Sequence, residues 1–166
     1  AFASTIDSDG ISNLAPFSFF NAFSANPPIL VFSPARSGKT NKTKDTYNNV
    51  KKVPEVVINV VNYELVHQMS LTSSPYPSNT DEFIKSGLTP VTSDLIKPFR
   101  IKESPVQFEC RVNQVIELGD KGGAGNLIIC EVLKIHISED VLDEKDMIDQ
   151  HKIDLVSRMG GNWYCR

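Results

Sequence analysis

The 166-residue chain has only three cysteines, Cys110, Cys130 and Cys165, and no two of them form a C-x-x-C pair. That scarcity excludes a disulfide scaffold and a dithiol redox motif, and it predicts reduced thiols in a cytosolic, that is cytoplasmic, protein. Histidine is equally sparse. His67, His136 and His151 show no ligand spacing with one another or with the cysteines, so no metal centre is expected. No apolar run approaches the ~20 residues that a membrane helix needs, and no signal peptide stands at the start, so no membrane association is expected. A large charge of one sign is also missing, since the net charge of -3 and pI near 5.6 argue against general nucleic-acid affinity. What remains is ordinary globular material, 40% hydrophobic and 22% charged, of a length that fits one domain over residues 1–166. Because the first residues already read as a strand, some sequence is expected to precede them.

The charge that is present is uneven. Arg36, Lys39, Lys42, Lys44, Lys51 and Lys52 face the single carboxylate Asp45 within one short segment, a basic loop on an acidic body. Inside it, SPARSGKT at 33–40 imitates the G-x-x-x-x-G-K-[ST] loop of nucleotide hydrolases. Ser33 replaces the first glycine of that motif, and Pro34 offers no N–H. NKTK at 41–44 is polar and aperiodic where an amphipathic helix should begin, so the NTPase reading fails and a small anionic ligand is the sharper one. Tyr47 alone interleaves with the cations, which leaves no stacking platform for single-stranded nucleic acid.

Along the chain, residues 1–6 and 11–14 read as strands around the turn DSDG, and Pro16 is expected to end the second. Residues 29–32 make a short buried strand. A helix is expected at 47–53 after Asp45 and Thr46, followed by a strand at 56–61, helices at 63–71 and 81–86, and a long hairpin of 105–118 and 126–137 around GDKGGAG. Residues 149–159 are expected to form a last helix, stopped by Gly160. Strands that follow one another by hairpins, with few helices between them, favour an antiparallel barrel with peripheral helices. The Pro-rich excursion from Thr72 to Pro105 has the length of a functional lid or a subunit contact.

Taken in order, APFSFFNA at 15–22, PPILVFSP at 27–34, KDT at 44–46, VIN at 57–59, LTS at 71–73, DEF at 81–83, GLTP at 87–90 and ESP at 103–105 resemble the flavin reductase-like proteins of the FMN-binding split barrel. ICEVLKIH at 129–136 and RMGGNWY at 158–164 continue the resemblance, which covers nearly the whole chain. It implies a six-stranded antiparallel split β-barrel with peripheral short helices, a homodimer with FMN near the subunit interface, and relatives that extend beyond both ends. Carried over residue by residue, it places Ser18, Phe19, Phe20 and Asn21 at the isoalloxazine ring, where Asn21 can both donate and accept. Phe17 and Phe23 are expected to fill the barrel instead. Ser33, Pro34, Lys44 and Thr46 would hold the phosphate, a dianion that needs donors and no magnesium. Asn59, Thr72, Ser73 and Tyr164 would stand near the flavin, with Lys85 and His136 as further candidates, His136 as a potential catalytic residue.

The family implies an NAD(P)H-dependent flavin reductase that passes hydride from NADH or NADPH to FMN, with FAD or riboflavin as alternative substrates. Its partner would be a flavin-dependent monooxygenase or another electron acceptor. An FMN-bound electron carrier or ferric reductase, and a non-catalytic flavin-binding module, are the rivals. The chain contains no G-x-G-x-x-G, so a nicotinamide would stack on the flavin in an open groove rather than occupy a domain of its own.

Overall fold

A computed structural model describes residues 1–161 and 163–166. Its strands are β1 (Phe2–Ile6), β2 (Ser12–Pro16), β3 (Phe20–Ala25), β4 (Pro28–Phe32), β5 (Glu55–Asn59), β6 (Pro90–Val91), β7 (Arg100–Ile101), β8 (Val106–Glu117), β9 (Asn126–Ile137), β10 (Ser157–Arg158) and β11 (Tyr164–Cys165). Its helices are α1 (Asp45–Lys52), α2 (Val66–Leu71), α3 (Glu82–Ser86) and α4 (Gln150–Ile153), with a 3-10 turn at Glu139–Val141. The main sheet runs β2-β1-β5-β8-β9-β4-β3 and every pairing in it is antiparallel. It has seven strands, one more than expected, because the aromatic stretch after Pro16 supplies β3.

The two edges of this sheet, β2 and β3, are consecutive in the chain and joined only by Phe17, Ser18 and Phe19. So short a link spans at most roughly 14 Å, so the sheet has to curl until its edges nearly meet. Phe17 N–H donates to Ala1 O at 2.7 Å on one side, and Ser33 N–H donates to Phe19 O at 3.0 Å on the other. The result is a barrel left open along one seam. Pro16 belongs to β2 rather than ending it, since an edge strand tolerates a residue without an N–H.

Inside the barrel, Ala3, Leu30, Phe32, Val56, Ile58, Cys110, Ile128 and Cys130 pack with Val50 of α1. Outside it, Phe2 and Leu14 meet Leu65 and Met69 at α2 and Phe83, Leu88 and Ile101 of the excursion, so β1 is covered on both faces. Phe17 packs on the barrel core with its ring 5.6 Å from that of Phe32. Phe23 does not fill the barrel; it is 69% exposed, because all of β3 lies on the outer edge. Two expected helices are shorter than read. α2 begins only at Val66, and α4 stops where Asp154 takes a left-handed φ of 48°, so the chain turns into β10 instead of continuing to Met159.

The free edge of β2 is partly capped by a carboxylate. Glu82, 8% exposed on α3, accepts the Leu14 N–H at 3.1 Å. Burial, reinforced by the neighbouring Asp45 and Asp81, pushes its carboxyl up to about 7. A folded-state value above the unfolded one means that the contribution is complete below the ordinary glutamate range and is lost as pH rises through 7. Glu82→Gln, which imitates the protonated group, is therefore expected to gain roughly 1–2 kcal/mol over the parent between pH 5 and pH 8. Denaturant unfolding of both proteins at the two pH values checks this; parallel pH profiles would contradict it.

Candidate functional site at the barrel seam

Beside the seam lies a cleft of about 480 Å³. Its floor is the end of β5 and the residues after it, Ile58 to Val61. Its walls are Pro16, Phe17, Ser18 and Phe20 on one side, and Met69, Ser73, Leu155–Arg158 and Tyr164 on the other. The walls are largely apolar and aromatic with a few polar groups, the composition typical of a small-molecule site. Ser18, Phe20, Asn59, Ser73 and Tyr164, dispersed over the whole sequence, thus meet in one place. Phe19 and Asn21 flank them at the exposed seam, where Asn21 Oδ1 accepts the Ala22 N–H at 2.9 Å.

The neighbouring loop carries the residues expected to hold an anion. Ser33 and Pro34 are buried at the end of β4, and the glycine loop between β8 and β9 is fastened to them. Asn126 Nδ2 donates to Pro34 O at 2.8 Å, Arg36 N–H to Ala124 O at 2.9 Å, and Gly123 N–H to Arg36 O at 3.0 Å. Gly125 approaches so closely that a Cβ on it would lie 2.6 Å from Ser33 Oγ. At the start of α1, Lys44 is exposed in the cap position and supplies no side-chain cap. The N–H groups of Asp45, Thr46 and Tyr47 find no acceptor among the described residues, which leaves a donor set with a preference for negative charge. The Thr46 hydroxyl is fully buried and accepts from Asn13 Nδ2 at 2.9 Å. Between these points, the N–H groups of Arg36, Ser37, Thr40 and Asn41 are all bonded within the protein, and α1 starts only at Asp45, so residues 33–40 do not form an open phosphate cradle.

Of the four other expected site residues, Asn59, Thr72 and His136 are engaged in the fold and Lys85 is not. Asn59 forms part of the cleft floor, but its side-chain amide donates to Phe2 O at 3.2 Å and accepts the Ile101 N–H at 3.0 Å. Thr72 is buried with its hydroxyl on Met69 O at 2.8 Å. Lys85 is exposed on α3. His136 is not among the cleft residues; its Nε2 lies 2.7 Å from Oε1 of Glu109, a wholly buried carboxylate that the sequence reading did not single out. Arg158 was also missed as a site residue, although it occurs in the quoted RMGGNWY stretch, of which Asn162 lies outside the described residues.

The sequence pattern of the flavin reductase like domain matches residues 1–154. The chain belongs to that family. Its open antiparallel barrel is the family's split barrel. An uncharacterized protein of Aquifex aeolicus is 38% identical over 165 residues, covering 99% of this chain and 82% of that protein. Among solved structures, nitrilotriacetate monooxygenase component B from Bacillus cereus superposes with a TM-score of 0.92 at 29% identity, over 99% of this chain and 81% of the other. The 2-nitrobenzoate 2-nitroreductase NbaA of Pseudomonas fluorescens does so with 0.84 at 26%, over 100% and 78%. The flavin reductase-like chain shares its fold with both of these proteins. Among the described residues, no helix is long and apolar enough to cross a membrane.

Proposed function

We propose that the protein binds FMN along the barrel seam and acts as an NAD(P)H-dependent flavin reductase. The observation that carries this reading is the convergence of Ser18, Phe20, Asn59, Ser73 and Tyr164 on one cleft. Bound FMN would supply the hydride-accepting chemistry, with NADH or NADPH as donor. The chain's own part is to hold and orient it. Ser33 Oγ, the Lys44 ammonium and the first-turn N–H groups of α1, that of Thr46 among them, receive the phosphate, with Pro34 setting the turn. Ser18, Phe19, Phe20 and Asn21 present peptide and amide groups to the polar edge of the ring, while Phe17, Phe20, Met69 and Tyr164 bound its apolar part. Asn59 and Thr72 shape the floor from behind.

The likeness to a monooxygenase component B supports a flavin-dependent monooxygenase as the consumer of reduced flavin. A second copy of the chain completes the proposed assembly. β3 is exposed along its whole length with Phe19 and Phe23 each 69% open, a surface too apolar to remain bare. Buried, unpaired Cys110 and Cys130 suit a reducing, cytoplasmic setting.

The phosphate assignment separates two lysines that the sequence motif would confuse. Lys44→Ala is expected to weaken FMN binding by about 1 kcal/mol or more, while Lys39→Ala, in the exposed turn of the false motif, leaves it unchanged. Absorbance titration with FMN distinguishes them, and the opposite ranking would relocate the phosphate.

A further inference from the structure

Arg158 is the one charged side chain among the residues lining the cleft. It stands on β10 opposite Tyr164 of β11, with its guanidinium 5.1 Å from the centre of the tyrosine ring and Nη1 3.2 Å from the phenol oxygen. Its Nη2 donates to Gly161 O, which ties the guanidinium to the turn of the hairpin. No carboxylate pairs with it among the described residues, whereas Arg166, which does not line the cleft, is held bidentately by Asp154 at 2.8 Å and lies over Tyr63. Two hydrogen bonds leave guanidinium donors over. The surrounding wall is apolar: Phe17, Phe20, Val61, Met69 and Leu155.

We propose that this cleft admits, beside the flavin, a planar aromatic carboxylate, with Arg158 as the residue that selects its charge. An apolar slot with one unneutralised cation at its wall favours a ligand with a flat apolar body and a single anionic group. Stacking on Tyr164 holds the guanidinium in a fixed orientation, so its fork can meet both carboxylate oxygens. The proposal rests on the flavin reading of the cleft for its place in the reaction, but its recognition chemistry is separable.

Benzoate and its neutral counterpart benzamide are the probes, titrated calorimetrically into the chain with and without saturating FMN, and FMN binding is followed separately by absorbance. Benzoate is expected to bind at least tenfold more tightly than benzamide. In Arg158→Gln that preference should vanish while benzamide affinity stays unchanged, and in Arg158→Lys part of it should return. Equal binding of the two probes by the parent chain, or a preference that survives Arg158→Gln, would overturn the proposal. So would inorganic phosphate displacing benzoate at equal concentration, which would mark the position as a phosphate subsite of the dinucleotide. If Arg158→Gln loses both probes by damaging the hairpin, Arg158→Lys decides: retained discrimination supports the charge role, and lost discrimination with intact benzamide binding overturns it. Charge discrimination without FMN binding would sink the flavin reading alone, whereas FMN binding without discrimination would sink this one alone.

Discussion

Replacement of Glu109 by alanine is expected to lower the unfolding free energy by about 3–5 kcal/mol, the cost of stripping a buried ionic group of its partner. Glu109 is fully buried in β8 and works as a four-way tie. Its Oε1 accepts the Asp94 N–H at 2.8 Å and its Oε2 the Leu95 N–H at 2.7 Å; His136 Nε2 lies at 2.7 Å and Arg100 Nε at 3.8 Å. Lys134 in turn holds Asp94. This is how the excursion around residues 92–100 is fastened to the outer face of the barrel. Burial alone would raise the carboxyl, but the two N–H groups and His136 outweigh it and hold it below the ordinary glutamate value. A depressed folded-state value gives stability above the unfolded pKa that is lost as pH falls through the folded one. The penalty of Glu109→Gln, smaller than that of alanine because one acceptor survives, should therefore shrink in acid. Urea unfolding at neutral and acid pH measures both, and an alanine penalty under about 1 kcal/mol would refute the tie.

The second large effect is expected on binding rather than on folding. Gly125→Ala places a methyl where Ser33 Oγ now sits, 2.6 Å from the new carbon. The obstructing atom is the end of a rotatable side chain, so the hydroxyl swings aside at little cost to the fold. If Ser33 holds the FMN phosphate as proposed, that hydroxyl is then lost to it, and loss of one hydrogen bond to a charged oxygen should weaken FMN binding about ten- to hundredfold. Gly123→Ala is the companion test. Gly123 has a φ of +88° and nothing within 4 Å of an added Cβ, so its substitution strains the backbone by roughly 1–2 kcal/mol without touching Ser33. Fluorescence titration with FMN and thermal unfolding of both variants separate the two effects. Unaltered affinity in Gly125→Ala would remove Ser33 from the phosphate site.

Much of this architecture was legible in residue order. The long β-branched runs around GDKGGAG became β8 and β9, and DEF followed by Gly87 became α3 with a left-handed φ of 70° at its close. What periodicity could not show was β3. FNAFSA alternates poorly because it is an edge strand whose faces are all exposed, so no core pattern marks it. The end of α4 was hidden for a different reason, a left-handed Asp154 that only the tertiary context selects. The resemblance drew attention to Ser18, Phe20, Asn59, Ser73 and Tyr164, but that they face one cleft is a property of the folded chain. Glu109 and Arg158 carried no local signal. A glutamate amid β8 reads as solvent-facing until the excursion covers it, and an arginine near the end of the expected 149–159 helix reads as surface until the hairpin folds it back toward β5.

FMN held by the seam cleft and the α1 start would be reduced there by a nicotinamide. The most direct test is an anaerobic absorption spectrum of the purified protein with FMN added, followed by NADH or NADPH. The expected result is a flavin spectrum that shifts on binding and bleaches with one of the two donors. A flavin spectrum unchanged by the protein, or a bound flavin that neither donor bleaches, would contradict it.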